Sequence, residues 1–315
     1  MRFQLTEDQR ALRDGVRQLL ARRFDADALR AAVRRPGRLD RALWRELGAA
    51  GFFALRLPEA DGGVGLGLPE AVLAFEEAGR ALLPGPLLAT HLAAGAVPGA
   101  ADGSVVVAAA GGGGTVEWLA EADVVRGDAT GAVELRSVDP LTPLHRLPRG
   151  SGSAAADERA AARVPGPYTS PTGVPDASAA VLLTAAEQLG SAVRTCELAV
   201  QHARTREQFG RPIGAFQAVQ HLCAGMLVRV EVARVAVYAA AVTADPVDVA
   251  AARLLADEAA VRGARDCLQV HGGMGFTWEA EVHLHLKRAW VRTHRTGGTT
   301  ESEEMLADAL TAGTR

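Results

Sequence analysis

One segment in the second half of the chain combines charged, aromatic and amide side chains around a predicted helix break. It reads RTREQFGRPIGAFQAVQHLCAG and spans residues 204–225. A helix is predicted to run into Arg206, to break at Phe209 and to restart at Phe216. Such a break exposes a guanidinium group, backbone N–H groups and an amide side chain at one place, which suits an anionic and aromatic ligand. The alternative is a plain helical hairpin in which both phenylalanines fill the core.

A second segment, QVHGGMGFTWE at residues 269–279, is rich in glycine. Gly272, Gly273 and Gly275 would let the backbone approach a ligand closely or pack tightly. The segment follows a predicted helix and lacks the GxGxxG spacing, so a Rossmann dinucleotide site is excluded. Taken alone, it favours a glycine-rich turn between two helices over a ligand-binding loop.

The elements that must position these segments are mostly helical. Apolar residues recur at helical spacing in the first and last parts of the chain, and Thr6 with Gln9 forms a predicted capping box. We therefore predict a mainly α protein with three domains: helical over 1–94, β over 95–170 and helical over 171–315. The predicted helices start near residue 6, cover 41–50, start at Pro69, and cover 179–205, 214–242, 246–271 and 278–294.

The middle region changes character. The runs SVVVAAA, DVVRG and AVELRSV are β-branched and separated by glycine, aspartate and proline, so they predict short strands. The glycine-rich stretches at 111–114 and 150–157 predict loops. Trp118 is predicted to be a core residue.

Composition limits the classes of function. The 315 residues have a net charge of −3, which gives no electrostatic attraction for nucleic acid or an anionic membrane. The three cysteines have no CxxC spacing and suit a reducing compartment. The sequence shows no signal-peptide pattern and no apolar run of about 18 residues. We expect a cytoplasmic protein.

The two segments together, with FQLTEDQRALRD and the PEADGG loop in the first half, resemble the acyl-CoA dehydrogenases. The resemblance covers residues 1–94 and 177–295. It implies an N-terminal helical domain, a short β-barrel-like domain, a C-terminal four-helix bundle, and FAD bound at a subunit interface. The residues it assigns to FAD are Arg206, Gln208, Phe209, Ile213, Phe216, Gln217, Gln269, Val270, Gly272 and Gly273.

The chain departs from this family at the catalytic base, a glutamate that removes the α-proton of the acyl thioester. Its usual position falls on Thr296 or, shifted by one, on Gly297. The other position used in the family falls on Ala180. None of these residues accepts a proton at neutral pH, so no catalytic residue is assigned. Glu187 and Glu301 remain as possible replacements.

Two further features bear on function. His283 and His285 are two residues apart on a predicted helix and diverge, so no metal site is predicted. The β region lacks the family's flavin-ring motifs. The sequence therefore favours a flavoprotein oxidoreductase subunit that acts in α,β-dehydrogenation of an acyl-CoA thioester and passes electrons to an acceptor. Expected partners are a second copy or a homologous chain, as in a heterotetramer. The alternatives are a non-catalytic partner that completes the FAD site of a homologue, and a different acyl-thioester chemistry.

Overall fold

The first part of the chain is helical. In the computed structural model of the protein, the described residues are 4–110, 114–148, 176–296 and 298–312. The predicted capping box is present, because Thr6 Oγ1 accepts from the Gln9 N–H and the Gln9 side chain accepts from the Thr6 N–H. The helices of this part are α1 (Glu7–Arg23), α2 (Ala26–Arg34), α3 (Arg41–Ala49), α4 (Leu68–Arg80) and α5 (Leu87–Ala93).

The strands of the middle region are short. β1 (Val107–Ala109) pairs in parallel with β3 (Val124–Arg126). β5 (Leu144–Arg146) lies between β2 (Thr115–Glu117) and β4 (Val133–Leu135) in an antiparallel sheet. The three predicted strands are confirmed as β1, β3 and β4. Trp118 is 2% exposed, as predicted for a core residue. Of the predicted loops, residues 111–113 and 150–157 lie outside the described residues.

The last part of the chain is again helical, as predicted. A short β-hairpin, with strands of two residues each, interrupts the helical region between its first two long helices. α9 starts four residues later than predicted, because residues 277–280 form turns in which the Ala280 N–H donates to the Thr277 carbonyl. The elements are α6 (Asp176–Thr205), β6 (Glu207–Gln208), β7 (Arg211–Pro212), α7 (Gln217–Thr243), α8 (Pro246–His271), α9 (Val282–Thr293) and α10 (Gly298–Ala312).

The two helical regions share one hydrophobic core. Trp44 and Phe75 from the first part belong to the same buried cluster as Leu189 and Val237 from the bundle. A small separate cluster around Val107 lies beneath the first strand. The predicted fold class, mainly α with a small β region, is confirmed.

Glycine allows α4 and α6 to cross with their backbones in contact. A Cβ at Gly190 would lie 1.8 Å from the Glu76 carbonyl oxygen, and one at Gly79 would lie 2.0 Å from the Glu187 carbonyl oxygen. Only glycine fits at both positions. The crossing fixes α6, and with it Glu187, at the centre of the molecule.

A row of arginines on α9 joins the bundle to the β region. Arg288 pairs with Asp139, which precedes β5, and donates to the carbonyl oxygens of Leu83 and Leu141. Arg292, one turn further along α9, and Arg295, two residues after the end of the helix, continue the row toward β2. All members of the row are largely removed from solvent: Arg288, Arg292 and Arg295. These ion pairs hold the strands against the helices.

Candidate functional site

The predicted helix break between α6 and α7 is a tight β-hairpin. Gln208 pairs with Arg211, and the two residues between them, Phe209 and Gly210, have φ of +55° and +75°. Two successive positive φ values are the requirement of a type I′ turn. Glycine adopts this conformation freely, whereas an aromatic residue there is strained. The hairpin therefore holds Phe209 in a costly conformation.

The strained aromatic ring points into solvent. Phe209 is 91% exposed and meets Phe216 edge to face, with 6.1 Å between the ring centroids. The Arg211 guanidinium lies 4.3 Å from the centroid of the Phe216 ring. The alternative in which both phenylalanines fill the core is therefore wrong for Phe209. The hairpin instead presents an aromatic and cationic surface.

Hydrogen-bond donors, some of them without a partner in the described chain, surround this surface. Arg206 is exposed, and no carboxylate within the described ranges pairs with it. The start of α7 carries no side-chain cap in the described part of the chain, so its first N–H groups are available beside the exposed Gln217. The amide of Gln208 donates to its neighbour's carbonyl at 2.7 Å. Ile213 is half-buried against the core, and its N–H donates to the Arg206 carbonyl at 2.8 Å.

The second predicted segment forms an open turn at the end of α8. A Cβ added at Gly272 or Gly273 would meet no atom within 4 Å, so there is room for a ligand to approach the backbone. Gln269 is exposed and Val270 is buried, which makes Val270 a packing residue. The turn therefore offers backbone and one amide side chain.

A pair of histidines brings the two segments together. The rings of His202, near the end of α6, and His271, at the end of α8, stack with centroids 4.1 Å apart. The Arg206 N–H donates to the His202 carbonyl at 2.8 Å. Burial, followed by the charges of His271 and Arg206, lowers the pKa of His202. This lowering favours the neutral form of the His202 imidazole.

A large cavity lies elsewhere, between α5, the strands and the ends of α9 and α10. Its volume is about 820 Å³, within the range of small-molecule sites. Much of its wall is apolar, including Leu87, Leu135 and Trp290. Arg136 and His294 lie among its polar lining residues. The cavity can take an elongated, mainly apolar ligand.

Both positions at which the sequence predicts the missing base line this cavity. Ala180, on α6, and Thr296, after α9, belong to its wall and to the wall of an adjacent cavity of about 370 Å³. Thr296 has a φ of +55°, and its Oγ1 accepts from Arg253 Nη1 at 3.0 Å. Gly297 lies outside the described residues. The two family positions that the structure describes thus lie in the wall, and neither carries a titratable side chain.

The carboxylate that does line the larger cavity is held in an ion pair. Both oxygens of Glu117 accept from Arg295, at 2.8 Å from Nε and 2.6 Å from Nη2. Such a bidentate pair stabilises the ionised carboxylate and uses one acceptor site on each oxygen. In this arrangement Glu117 anchors Arg295 against β2.

The two possible replacements for the base are also poorly placed. Glu187 is 2% exposed and its carboxylate pairs with Arg292 at 2.7 Å and with Arg295. Burial raises the pKa of Glu187, but the charges of the arginines on α9 outweigh it and lower the pKa overall. Glu301, in the first turn of α10, lines the smaller cavity. Ala180 and Thr296 line the same smaller cavity, whereas Glu301 is absent from the lining of the larger one.

Sequence reasoning missed the buried polar groups that support this wall. Arg253 donates to the carbonyl oxygen of Arg292 at 2.6 Å and pairs with Asp257, which in turn accepts from Gln188 at 2.8 Å. The i, i+4, i+7 spacing of arginines on α9 was a signal for a common helix face, but not for its burial. Among the described residues, no group of three or more potential ligands could hold a metal ion. In the part of the chain that the structure describes, no helix is both long and apolar enough to cross a bilayer.

Comparison with known proteins agrees with this geometry. The model of the acyl-CoA dehydrogenase N-terminal domain matches residues 6–105, and that of the C-terminal domain matches residues 180–309. Acyl-CoA dehydrogenase IpdE2 of Mycobacterium tuberculosis is 38% identical over 293 residues, which cover 90% of this chain and 91% of that protein. FadE34 of the same organism is 36% identical, and the alignment spans 46% of its length.

Solved structures show the same fold over nearly the whole chain. A chain of the ChsE4-ChsE5 complex from Mycobacterium tuberculosis aligns with a TM-score of 0.81 at 28% identity, covering 99% of both chains. A variant of the Tcur3481-Tcur3483 steroid ACAD also gives a TM-score of 0.81, at 27% identity, with 98% and 99% coverage. The chain therefore belongs to the acyl-CoA dehydrogenase family.

Proposed function

We propose that the chain acts in the α,β-dehydrogenation of an acyl-CoA thioester as a subunit of a complex with another acyl-CoA dehydrogenase-like chain. In this role it contributes FAD-binding residues but does not supply the base. The observation that carries the proposal is the described wall of the large cavity, where Ala180 and Thr296 stand at the base positions and Glu117 is paired with Arg295. An acyl-CoA is the proposed substrate at family level.

The surface around the hairpin has the donor set that FAD requires. An unpaired Arg206 and the uncapped start of α7 suit a diphosphate, because both present N–H donors and positive charge. Phe209 and Phe216 present rings against which a planar heterocycle can stack. The open backbone at Gly272 and Gly273 leaves room for close approach. Bound FAD would supply the hydride acceptor of the reaction.

Of the remaining predicted residues, two add polar groups to this surface and two pack beneath it. Gln217 and Gln269 are exposed amides that can bond a diphosphate or ribityl group. Ile213 and Val270 pack into the core and so fix the hairpin and the turn. The stacked rings of His202 and His271 hold the two segments next to each other.

The proton transfer is assigned to the partner chain. A thioester α-proton is a weak acid, and general-base catalysis typically accelerates its removal by about 10²–10⁴-fold. A cavity without such a base should therefore show almost no turnover. A solved relative is itself a complex of two differently named chains, ChsE4 and ChsE5. By analogy, the base would come from a homologous chain that has retained its glutamate. Reoxidation would then need an electron-transfer acceptor.

The test compares the purified chain with the chain co-expressed with a homologous acyl-CoA dehydrogenase. Visible absorption measures bound flavin, and a panel of acyl-CoAs with an artificial electron acceptor measures turnover. We expect turnover in the complex only, and we expect it to survive Glu301→Gln in this chain. Robust turnover by the chain alone that disappears in Glu187→Gln, Glu301→Gln or Glu117→Gln, with the fold intact, would refute the proposal and name the base.

The alternative of a wholly non-catalytic partner makes a different prediction for the same samples. In that case the complex would turn over at the same rate whether or not this chain's cavity was blocked. A bulky substitution such as Ala180→Trp fills the cavity wall without touching the hairpin. Unchanged turnover of that complex would favour the alternative, and loss of turnover would favour a substrate bound in this cavity.

A further inference from the structure

The large cavity contains one charged side chain that no carboxylate among the described residues neutralises. Three residues of its described wall carry a formal charge: Glu117, Arg136 and Arg295. Arg295 is paired with Glu117 on one side and with Glu187 on the other. Arg136 is exposed and forms no ion pair with a described residue. The guanidinium group of Arg136 is therefore available to a ligand.

The strand register places Arg136 far from the base positions. Leu135, the last residue of β4, lies opposite Leu144 of β5, which lies opposite Glu117 of β2. Neighbouring strands are about 4.8 Å apart, so Leu135 and Glu117 are separated by about 10 Å across the sheet. Glu117 binds Arg295, whose neighbour in the chain is one of the base positions. Because Arg136 directly follows β4, it lies at the opposite edge of the sheet.

The span between these two edges is apolar. Residues that lie opposite each other in a sheet share a face, and Leu135, Leu144 and Glu117 all line the cavity. Leu87 and Leu92 of α5 line it as well. A methylene chain is stabilised by contact with leucine side chains, whereas the amide groups of the pantetheine arm of CoA would find no hydrogen-bond partner in them. This span therefore suits the acyl chain of a thioester better than its CoA part.

We infer that Arg136 binds a carboxylate at the far end of the acyl chain, so that this cavity selects ω-carboxyacyl-CoA thioesters. The inference rests on the proposed function, because it takes the thioester end to lie beside Ala180 and Thr296. A guanidinium group donates bidentate hydrogen bonds to a carboxylate. The apolar span between the edges limits the solvent that would screen this attraction. With the ligand bound, each charged residue of the described wall would have a partner of opposite charge.

Equilibrium binding of two thioesters, to the chain alone and to its complex with a homologue, tests this role of Arg136. Suberoyl-CoA and octanoyl-CoA have the same chain length and differ in a terminal carboxylate. We expect Arg136→Gln to bind suberoyl-CoA about tenfold more weakly than the wild type, because it loses a charge-assisted hydrogen bond. Its affinity for octanoyl-CoA should be unchanged. Arg136→Lys should lie between the two, since it keeps the charge but loses the bidentate geometry.

Two further variants control for surface charge and for the place of binding. Arg146→Gln is the matched control, because Arg146 is an exposed arginine on β5 of the same sheet and is not among the described lining residues of the cavity. It should bind both thioesters as the wild type does. Ala180→Trp fills the cavity wall, so it should weaken the binding of suberoyl-CoA and remove the effect of Arg136→Gln. Circular dichroism confirms the folding of each variant.

The outcomes separate the inference from the proposed function. An equal loss of affinity for both thioesters in Arg136→Gln would show that Arg136 binds a phosphate of CoA, and would overturn the inference. Unchanged affinity for suberoyl-CoA, or an equal loss in Arg146→Gln, would overturn it as well. Binding is measured without turnover, so the result does not depend on which chain supplies the base. A complex that binds suberoyl-CoA through Arg136 but turns over no thioester would refute the proposed function alone.

Discussion

The substitution Glu187→Gln removes the negative charge that neutralises Arg292 inside the molecule. Arg292 has no exposed side-chain surface, and its Nη2 donates to Glu187 Oε1 at 2.7 Å. Arg295 also binds Glu187, but it keeps a second partner in Glu117. The uncompensated charge in the variant is therefore mainly that of Arg292.

The expected cost follows from this burial. Removing one partner of a buried ion pair typically destabilises a protein by about 3–5 kcal/mol, because the other charge remains desolvated. The Glu187 backbone carbonyl still accepts from Arg292 Nη1 at 3.2 Å, so we expect the lower end, about 3 kcal/mol. The matched control is Glu197→Gln on the same helix. Glu197 is 46% exposed and pairs with Arg80, a surface pair worth about 0–1 kcal/mol.

Urea unfolding of the two variants measures the difference. We expect the free energy of unfolding at pH 7 to fall by about 2 kcal/mol more for Glu187→Gln than for Glu197→Gln. Equal losses would show that the buried pair contributes no more than the surface pair and would refute the reasoning. A fully stable Glu187→Gln variant that loses turnover would instead identify Glu187 as the base.

The pH dependence gives a second check on the same group. Because the folded state lowers the pKa of Glu187, its contribution to stability is present above the pKa of the unfolded chain, about 4.3. That contribution is lost as the pH falls through the lower pKa of the folded state. We expect acid unfolding below about pH 4.3 to be less steep in Glu187→Gln than in the wild type. If the free energy of unfolding fell equally steeply with pH in the variant and the wild type, the lowered pKa of Glu187 would be contradicted.

Three further outcomes are expected. Arg206→Ala should weaken flavin retention by about tenfold or more, because it loses a charge-assisted hydrogen bond of about 1.5–3 kcal/mol. The control Arg204→Ala should retain flavin, and the flavin absorbance after dialysis measures both variants. Phe209→Asn should raise the free energy of unfolding by about 0.5–1 kcal/mol, since asparagine tolerates positive φ, and still weaken flavin retention. Ala180→Glu should raise the residual turnover of the flavin-loaded chain by about 10²-fold, whereas the control Ser178→Glu should not. No gain in Ala180→Glu would show that Ala180 is not the position of the base.

Much of the helical architecture could be predicted from the sequence. Long helices such as α6 and α8 bury many alanines and leucines at regular spacing, and their limits agree with the periodic pattern. The capping box at Thr6 was predicted to the residue. The short elements α2, α5, β2 and β5 were not predicted.

The buried ion pairs could not be predicted, because their partners are far apart along the chain. Arg288 and Asp139 are separated by 149 residues, and Arg295 and Glu117 by 178. On a lone helix a row of arginines indicates a solvated face. Its burial depends on which carboxylates the fold brings opposite, and that is a property of tertiary packing.

Side chains at the large cavity and at the hairpin differ in whether they have partners within the subunit. At the large cavity, both oxygens of Glu117 accept from Arg295, so this carboxylate joins β2 to the segment that follows α9. At the hairpin, Phe209 is exposed and held at a positive φ, which is costly for an aromatic residue, and the exposed Arg206 has no ion pair within the described residues. This contrast supports the proposed role, in which the hairpin binds flavin and a partner chain abstracts the proton.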